Sequence, residues 1–485
     1  SNHWSLAVCT SVGFLIVLGS GARLSSASSY ENNSNFEGHA GRRPSRLERL
    51  YRTPAPWRGP VRPILGLPQR TAPHATAMTD DATTLPPLRA ELFLNPAARR
   101  DEAYGPRRGA VLGQAALAEA RAEITRWPGY APTPLHRLGA LAARLGVADV
   151  AYKDEGGRFG LGSFKALGGA YAVARLLRRE LSARLGRPVT TEALRGGALR
   201  ELARQITVTC ATDGNHGRSV AWGAQLLGCG CVIYIHATVS EGRKAAIEAF
   251  GAQVVRTPGN YDDAVRQADA DARRLGRHVI SDTSYPGYMD VPRDVMQGYQ
   301  LMVEEAVQQL GQRPTHVFVQ GGVGGLAAAV CGWFWERDGA ARPRFVVVEP
   351  ERADCLMRSA RAGQLVAVSG ALDTLMAGLA CGEVSLLAWD VLATGADAFA
   401  TVSDDAAVQA MRLLAAPTGG DAPIVAGESA VAGLAAAIAV AQSPAQRAAL
   451  GLDGGARLLL IGSERDTDPA LYARLVGRTA QQVLG

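Results

Sequence analysis

Residues 316–330 read HVFVQGGVGGLAAAV, a short apolar run, a turn of four glycines around Val323, and an alanine-rich run. A strand whose apolar residues do not alternate with polar ones is covered on both faces, which is the mark of a parallel sheet between helices. Glycines at the turn let the chain double back at once into a helix, and the first N–H groups of that helix have no intrahelical partners. GGVGG has neither the spacing of the dinucleotide fingerprint nor that of the P-loop, so alone it is no more than a tight strand-to-helix connection. At the positive end of a helix it is also a cradle for a phosphate.

The pattern recurs. ITVTCAT (206–212), CVIYIHA (231–237), AQVVRT (252–257), RFVVVEP (344–350) and RLLLIGS (457–463) read as further strands, and Ala/Leu/Arg helical patterns separate them from about residue 105 onward. Two more glycine turns stand at strand ends, TDGNHG (212–217) after ITVTCA and GSERD (462–466) after RLLLI. Turns at the carboxyl ends of parallel strands are where open α/β folds bind ligands. The fold class is therefore α/β, with parallel sheets, and 485 residues are enough for two or three compact units without internal repeats.

Composition excludes several functions. Hydrophobic and charged fractions of 47% and 20% belong to a globular protein. The net charge of +6 sits in residues 1–77, where nine arginines face three glutamates, and the remaining 42 basic and 42 acidic residues balance. A neutral body without a basic stripe argues against a nucleic-acid partner. The first methionine is Met78, and the segment before it joins the apolar LAVCTSVGFLIVLGSG (6–21) to Ser/Asn-rich and Pro/Arg-rich stretches. That run is short for a membrane span and lacks the basic flank of a signal peptide, so residues 1–89 are expected to be a disordered leader and no membrane partner is expected; the Arg/Ser richness leaves an organelle transit peptide as the alternative. The seven cysteines have no zinc spacing, no metal site is expected, and Cys229 and Cys231 are expected in a buried strand.

Of 51 basic residues only Lys153, Lys165 and Lys244 are lysines. Arginine stays protonated and cannot form a Schiff base, so chemistry that needs a neutral amine has three candidates. A lysine among small residues is by default an outward-pointing helix residue. Lys165, in LGSFKALGGA (161–170), is the candidate that the neighbouring turns support.

Taken in order, a lone lysine in SFKALGG, an Asn-His turn in DGNHG and a glycine-rich phosphate loop resemble the fold type II, or β-family, pyridoxal-phosphate enzymes, which have a tryptophan synthase β-like architecture and include the serine and threonine dehydratases. WPGYAPTPL (127–135), YKDEGGRFGLGSFKALGGAYA (152–172), ATDGNHGRSVAW (211–222), DTSYPGY (282–288), MQGY (296–299), TLMAGLACGE (374–383) and SERDTDP (463–469) are similar to the diaminopropionate ammonia-lyase family within it, over roughly residues 90–485.

The resemblance implies pyridoxal 5'-phosphate as cofactor and α,β-elimination of D- or L-2,3-diaminopropionate as the reaction. It makes Lys165 the Schiff-base lysine, puts Phe164 at the ring-stacking position and gives phosphate binding to Gly321, Gly322, Val323, Gly324 and Gly325. Asn215 corresponds to the residue that bonds the cofactor's phenolic oxygen, and Ser463 to a hydroxyl near its pyridine nitrogen. Such a hydroxyl does not hold a proton on the ring, which favours rapid loss of a β-leaving group over transamination. Lys165 then serves as a base toward Cα, with a pKa expected to be lowered by its apolar pocket.

Thr212, Asp213 and Asp282 are the expected substrate-binding residues. Asp213 stands where the hydroxy-amino-acid dehydratases have serine, and an acid beside a carboxylate substrate is tolerable when the substrate also brings a cation. The resemblance makes Asp213 the base for the D-enantiomer and Lys165 the base for the L-enantiomer, with Asp282 holding the β-amino group. The plain alternative for Asp213 is a helix N-cap, and His216 is read as structural.

Departures from the family are Gly156 and Gly157 after KDE, and Arg465 in place of a glycine. Cys355 and Cys381 correspond to a pair that can form a disulfide in relatives. The runner-up function is a serine/threonine dehydratase, and from another class a non-catalytic amino-acid sensor, against which the intact Lys165 argues. The expected layout is a larger domain from 90–169 and 313–485, a smaller one from 170–312, the cofactor between them, and a cytoplasmic homodimer.

Overall fold

The computed structural model describes residues 85–370 and 372–485. The expected leader lies outside these residues except for 85–89.

Among the described residues eleven strands form two sheets. β1 (Ala90–Leu94), β2 (Leu135–Arg137), β3 (Asp149–Asp154), β8 (His316–Gln320), β9 (Arg344–Pro350), β10 (Ala398–Val402) and β11 (Arg457–Gly462) form one sheet, in the order β1-β10-β9-β8-β11-β3-β2. β4 (Thr207–Ala211), β5 (Gly230–Ile235), β6 (Gln253–Arg256) and β7 (His278–Val279) form the other, in the order β6-β5-β4-β7. All six strands read from the sequence are present. β8 is buried at every position, as its unbroken apolar run requires. The small sheet is parallel throughout, and the large one is parallel at its centre. Its outermost strands β1 and β2 run antiparallel to β10 and β3. β2 has no fully buried residue, because an edge strand is covered less than a central one.

Helices fill both faces. Ala432–Gln442 runs behind the large sheet and is buried from Ala432 to Val440. Ala166–Leu185 packs against both Asn215–Leu227 and Asp290–Leu310, and glycines set how closely. A Cβ on Gly168 would lie 2.4 Å from the Tyr299 ring, and one on Gly169 would lie 2.4 Å from Ser219 Oγ. The small residues after Lys165 are therefore there for helix packing, which fixes the start of that helix against two others. Cys231 lies in β5 and Cys229 just before it, and both are half-buried rather than buried, a correction that follows from their place at the strand's entry. No helix of the described residues is long and apolar enough to cross a membrane.

Candidate active site

The carboxyl ends of β4, β8 and β11 open onto one cavity of about 610 Å³, a size usual for small-molecule sites. Phe164, Lys165, Thr212, Asp213, Asn215, Asp282, Gly321, Gly322, Val323, Gly325 and Ser463 all line it. Of the cofactor- and substrate-binding residues expected from the sequence, Gly324 alone does not. It serves the turn instead, with φ +98° and no room for a Cβ, which would come within 2.9 Å of Ala388.

GGVGG ends β8 and opens the helix Gly325–Asp338. Gly321 N–H donates to Val348 O, and Gly324 N–H to Gly321 O. Gly322 holds φ +61° at the cavity wall. The turn thus presents a helix N-terminus with no side chain in front of it, which is an anion cradle.

Lys165 precedes the helix Ala166–Leu185 and its Nζ donates to Asp282 Oδ2 at 2.5 Å. Burial works against its charge, yet the Asp282 carboxylate and the Tyr299 hydroxyl hold the ammonium well above the ordinary lysine value. This overturns the expected lowering, because the pocket contains a carboxylate that the local sequence does not show. Asp282 is likewise held below the ordinary carboxylate range, burial being outweighed by Lys165 and His216. The Phe164 ring leans on Tyr299 with centroids 4.6 Å apart.

In the DGNHG turn the capping work falls to Thr212. Its Oγ1 accepts from Gly214 N and Gly217 N, each at 3.0 Å, whereas the helix Asn215–Leu227 receives no side-chain bond from its N-cap Gly214. Asp213 is therefore not the cap, and its carboxylate is free for other partners. His216 is structural in the expected way, with Nε2 2.7 Å from Ile280 O. Burial lowers its pKa, with Asp282 opposing, and its Nδ1 lies 3.9 Å from Asp282 Oδ2.

Ser463 is buried, and Gln320 Nε2 donates to its Oγ at 3.3 Å. Asn215 Nδ2 donates to Glu464 Oε2, and Ser429 N–H donates to Glu464 Oε1 at 3.1 Å. Glu464, Gln320 and Tyr299 also line the cavity. Sequence reading passed over all three, although each stands within or beside a quoted motif. Arg465 turns away, its Nε donating to Asp466. A Cβ on Gly156 would lie 2.8 Å from the Arg465 Cβ, so two departures from the family pattern fit each other. Cys355 and Cys381 are both free thiols.

Comparison with known proteins agrees with this geometry. Residues 126–463 match the family described as "Pyridoxal-phosphate dependent enzyme". The chain belongs to that family.

Among relatives of this pyridoxal-phosphate enzyme, the diaminopropionate ammonia-lyase of Escherichia coli (strain K12) is 40% identical over 72% of this chain and 88% of its own. That of Salmonella typhimurium (strain LT2) is 40% identical over 73% and 90%. The crystal structure of the E. coli enzyme in complex with an aminoacrylate-PLP azomethine reaction intermediate superposes with a TM-score of 0.73 at 38% identity, covering 80% of this chain and 97% of that one. The fold is fold type II, and the cofactor is pyridoxal phosphate. The residues present fit it, with an anion cradle at Gly321–Gly325, an amine at Lys165 and a hydroxyl at Ser463 across the same cavity.

Proposed function

We propose that the protein converts 2,3-diaminopropionate and water into pyruvate and two ammonia. The observation that carries this reading is Asp213, an acid freed from helix capping by Thr212 and set on the same cavity as Lys165. The 40% identity to ammonia-lyases supports it over a serine/threonine dehydratase.

Bound pyridoxal phosphate supplies the electron sink for a carbanion at Cα. The GGVGG turn of residues 321–325 would hold its phosphate through the N–H groups of Gly322, Val323 and Gly325, those of Gly321 and Gly324 being used within the fold; Asn215 would bond its phenolic oxygen, Ser463 would face its pyridine nitrogen and Phe164 would pack against its ring. With the cofactor held at Lys165, Asp282 would lose its ammonium partner, and a carboxylate so left would recruit another cation. The β-ammonium of the substrate is that cation. Thr212 contributes to the wall against the substrate carboxylate. Lys165 Nζ takes the Cα proton of the L-enantiomer and the Asp213 carboxylate that of the D-enantiomer.

The strand membership of the two sheets supports a division into a larger domain from 90–169 and 313–485 and a smaller one from 170–312. A cytoplasmic homodimer is the reading by analogy with enzymes of this fold. The test is to incubate the holoenzyme with D- and L-diaminopropionate, D- and L-serine and L-threonine, and to measure 2-oxo acids. Pyruvate from diaminopropionate is expected; turnover of the hydroxy-amino acids alone would restore the dehydratase reading.

A further inference from the structure

β4 and β5 are parallel neighbours, with Ala211 opposite Tyr234. Their carboxyl ends therefore bring the residue two places beyond β4 beside the residue one place beyond β5. These are Asp213 and His236. His236 Nε2 lies 2.7 Å from Asp213 Oδ1, and His236 Nδ1 lies 3.0 Å from Thr238 Oγ1. A carboxylate oxygen has no proton to give, so Nε2 is the donor whichever way Thr238 Oγ1 and Nδ1 share theirs.

The backbone that carries the imidazole is also held in place. Arg256 Nη1 donates to the carbonyls of His236, Ala237 and Val239 at 3.2, 3.0 and 2.7 Å. The side chain of His236 is 16% exposed and that of Asp213 34% exposed. The fixed partner is thus the histidine, and the oriented one is the aspartate.

We propose that His236 is a positioning residue for Asp213, binding Oδ1 so that Oδ2 faces the substrate as the basic oxygen. The inference rests on the reading of Asp213 as the base for the D-enantiomer. A general base needs its proton-accepting lone pair within hydrogen-bond reach of the substrate, and a third group that orients it contributes to rate rather than to affinity. A competing partner stands nearby. Arg243 Nη1 is 3.4 Å from the Asp213 carbonyl oxygen while its Nη2 pairs with Glu428 at 3.0 Å. A carboxylate released by His236 can swing toward that guanidinium or toward solvent, and in either place it no longer meets Cα–H.

The test measures kcat and KM of the holoenzyme separately for D- and L-2,3-diaminopropionate in His236→Ala, His236→Gln, Asp213→Asn and the double variant Asp213→Asn/His236→Ala. We expect His236→Ala to lower the D-to-L ratio of kcat by about tenfold or more, with the D-substrate KM little changed. His236→Gln, whose amide N–H can donate to the same oxygen, should recover most of that ratio, and the double variant should be no worse than Asp213→Asn. Histidine-selective ¹⁵N NMR adds a readout independent of turnover. The protonated Nε2 resonance missing from His236→Gln should shift in Asp213→Ala. Equal losses for both enantiomers in His236→Ala, or an Nε2 resonance indifferent to Asp213→Ala, would overturn the inference while the base reading stands. A D-to-L ratio untouched by Asp213→Asn would overturn the base reading and this inference with it.

Discussion

Lys153 and Lys165 lie twelve residues apart in the sequence and meet opposite surroundings. Lys153 is fully buried and its three protons are spent on Thr133 O, Glu305 Oε2 and Gln309 Oε1, at 2.8, 2.9 and 2.9 Å. Around it Arg158 bonds both Glu155 and Glu305, and Tyr130 donates to Glu305 at 3.0 Å. Lys165 has one carboxylate partner and a cavity. Burial lowers the pKa of Lys153, with Glu155 and Glu305 opposing it, whereas that of Lys165 is raised. A search for the lysine with the depressed pKa would choose Lys153, which does not reach the cavity. What separates them is saturation, since a charge with every hydrogen bond satisfied inside a packed network is a structural element and one beside open space is available for chemistry.

The largest test of that contrast is Lys165→Ala. It removes both the covalent attachment point and a base, so borohydride-trapped cofactor should vanish and L-substrate turnover should fall by roughly 10³-fold or more. Trapping in Lys165→Ala together with loss of trapping in Lys153→Met would reverse the assignment.

Next in size is Lys153→Met. It leaves Glu305 with a carboxylate oxygen short of one cation in a dry setting, and stability should fall by about 3–5 kcal/mol, read as a shift of the denaturation midpoint. Cofactor trapping should survive in whatever fraction remains folded. A variant as stable as the parent would mean that the Arg158 pair alone satisfies Glu305.

How far this contrast could be read from sequence depends on its range along the chain. HVFVQ, ITVTC and RLLLI declare themselves because a central parallel strand is apolar without interruption, and the glycine turns because positive φ is cheap only for glycine. DVAYKD escaped as β3 because a buried lysine disguises a core strand as a polar one. AELFL and LHR escaped because edge strands need no such run. In the site, the lysine, the turn and the phosphate loop were legible as local motifs. The Lys165–Asp282 pair spans 117 residues, Asn215–Glu464 spans 249, and no local window contains either. His236 was read only as the tail of a strand; its pairing with Asp213 is set by the β4–β5 register.

The pair at Lys165 makes a prediction of moderate size. An amine attacks the cofactor aldehyde only when neutral, and Asp282 keeps Lys165 charged. In the cofactor-free protein, attachment of added pyridoxal phosphate should be slow at neutral pH and quicken as pH rises toward the raised lysine value. Asp282→Asn removes the main group opposing burial and leaves Tyr299 against it, which lowers the pKa; attachment at pH 7 should then speed up by about tenfold or more and level off at lower pH. The sign for stability runs the other way. The raised lysine contributes below its unfolded pKa and loses that contribution as pH rises through the folded one. The depressed carboxylate contributes above its unfolded pKa and loses it as pH falls through the folded one, so the parent's margin over Asp282→Asn should be widest between the two ranges. Identical pH profiles of attachment in the two proteins would show that Asp282 does not govern the amine.

The smallest effect belongs to Lys244, and it sets the floor of the comparison. Its Nζ meets Glu248 at 3.0 Å, one helical turn on, with the two side chains 29% and 41% exposed. Both charges remain hydrated whether or not they touch, so the Coulomb gain is screened and much of it is offset by the rotamer freedom two long side chains give up. Lys244→Ala should therefore cost at most about 0.5 kcal/mol and leave cofactor trapping unchanged. It stands at the start of the helix Glu241–Glu248, whose N-cap Ser240 accepts from Arg243 N. The helix is thus held by its cap and not by the ion pair. A larger loss, or any change in trapping, would mean that exposure fails to separate the idle lysine from the other two. Saturation by hydrogen bonds would then be insufficient to assign their roles.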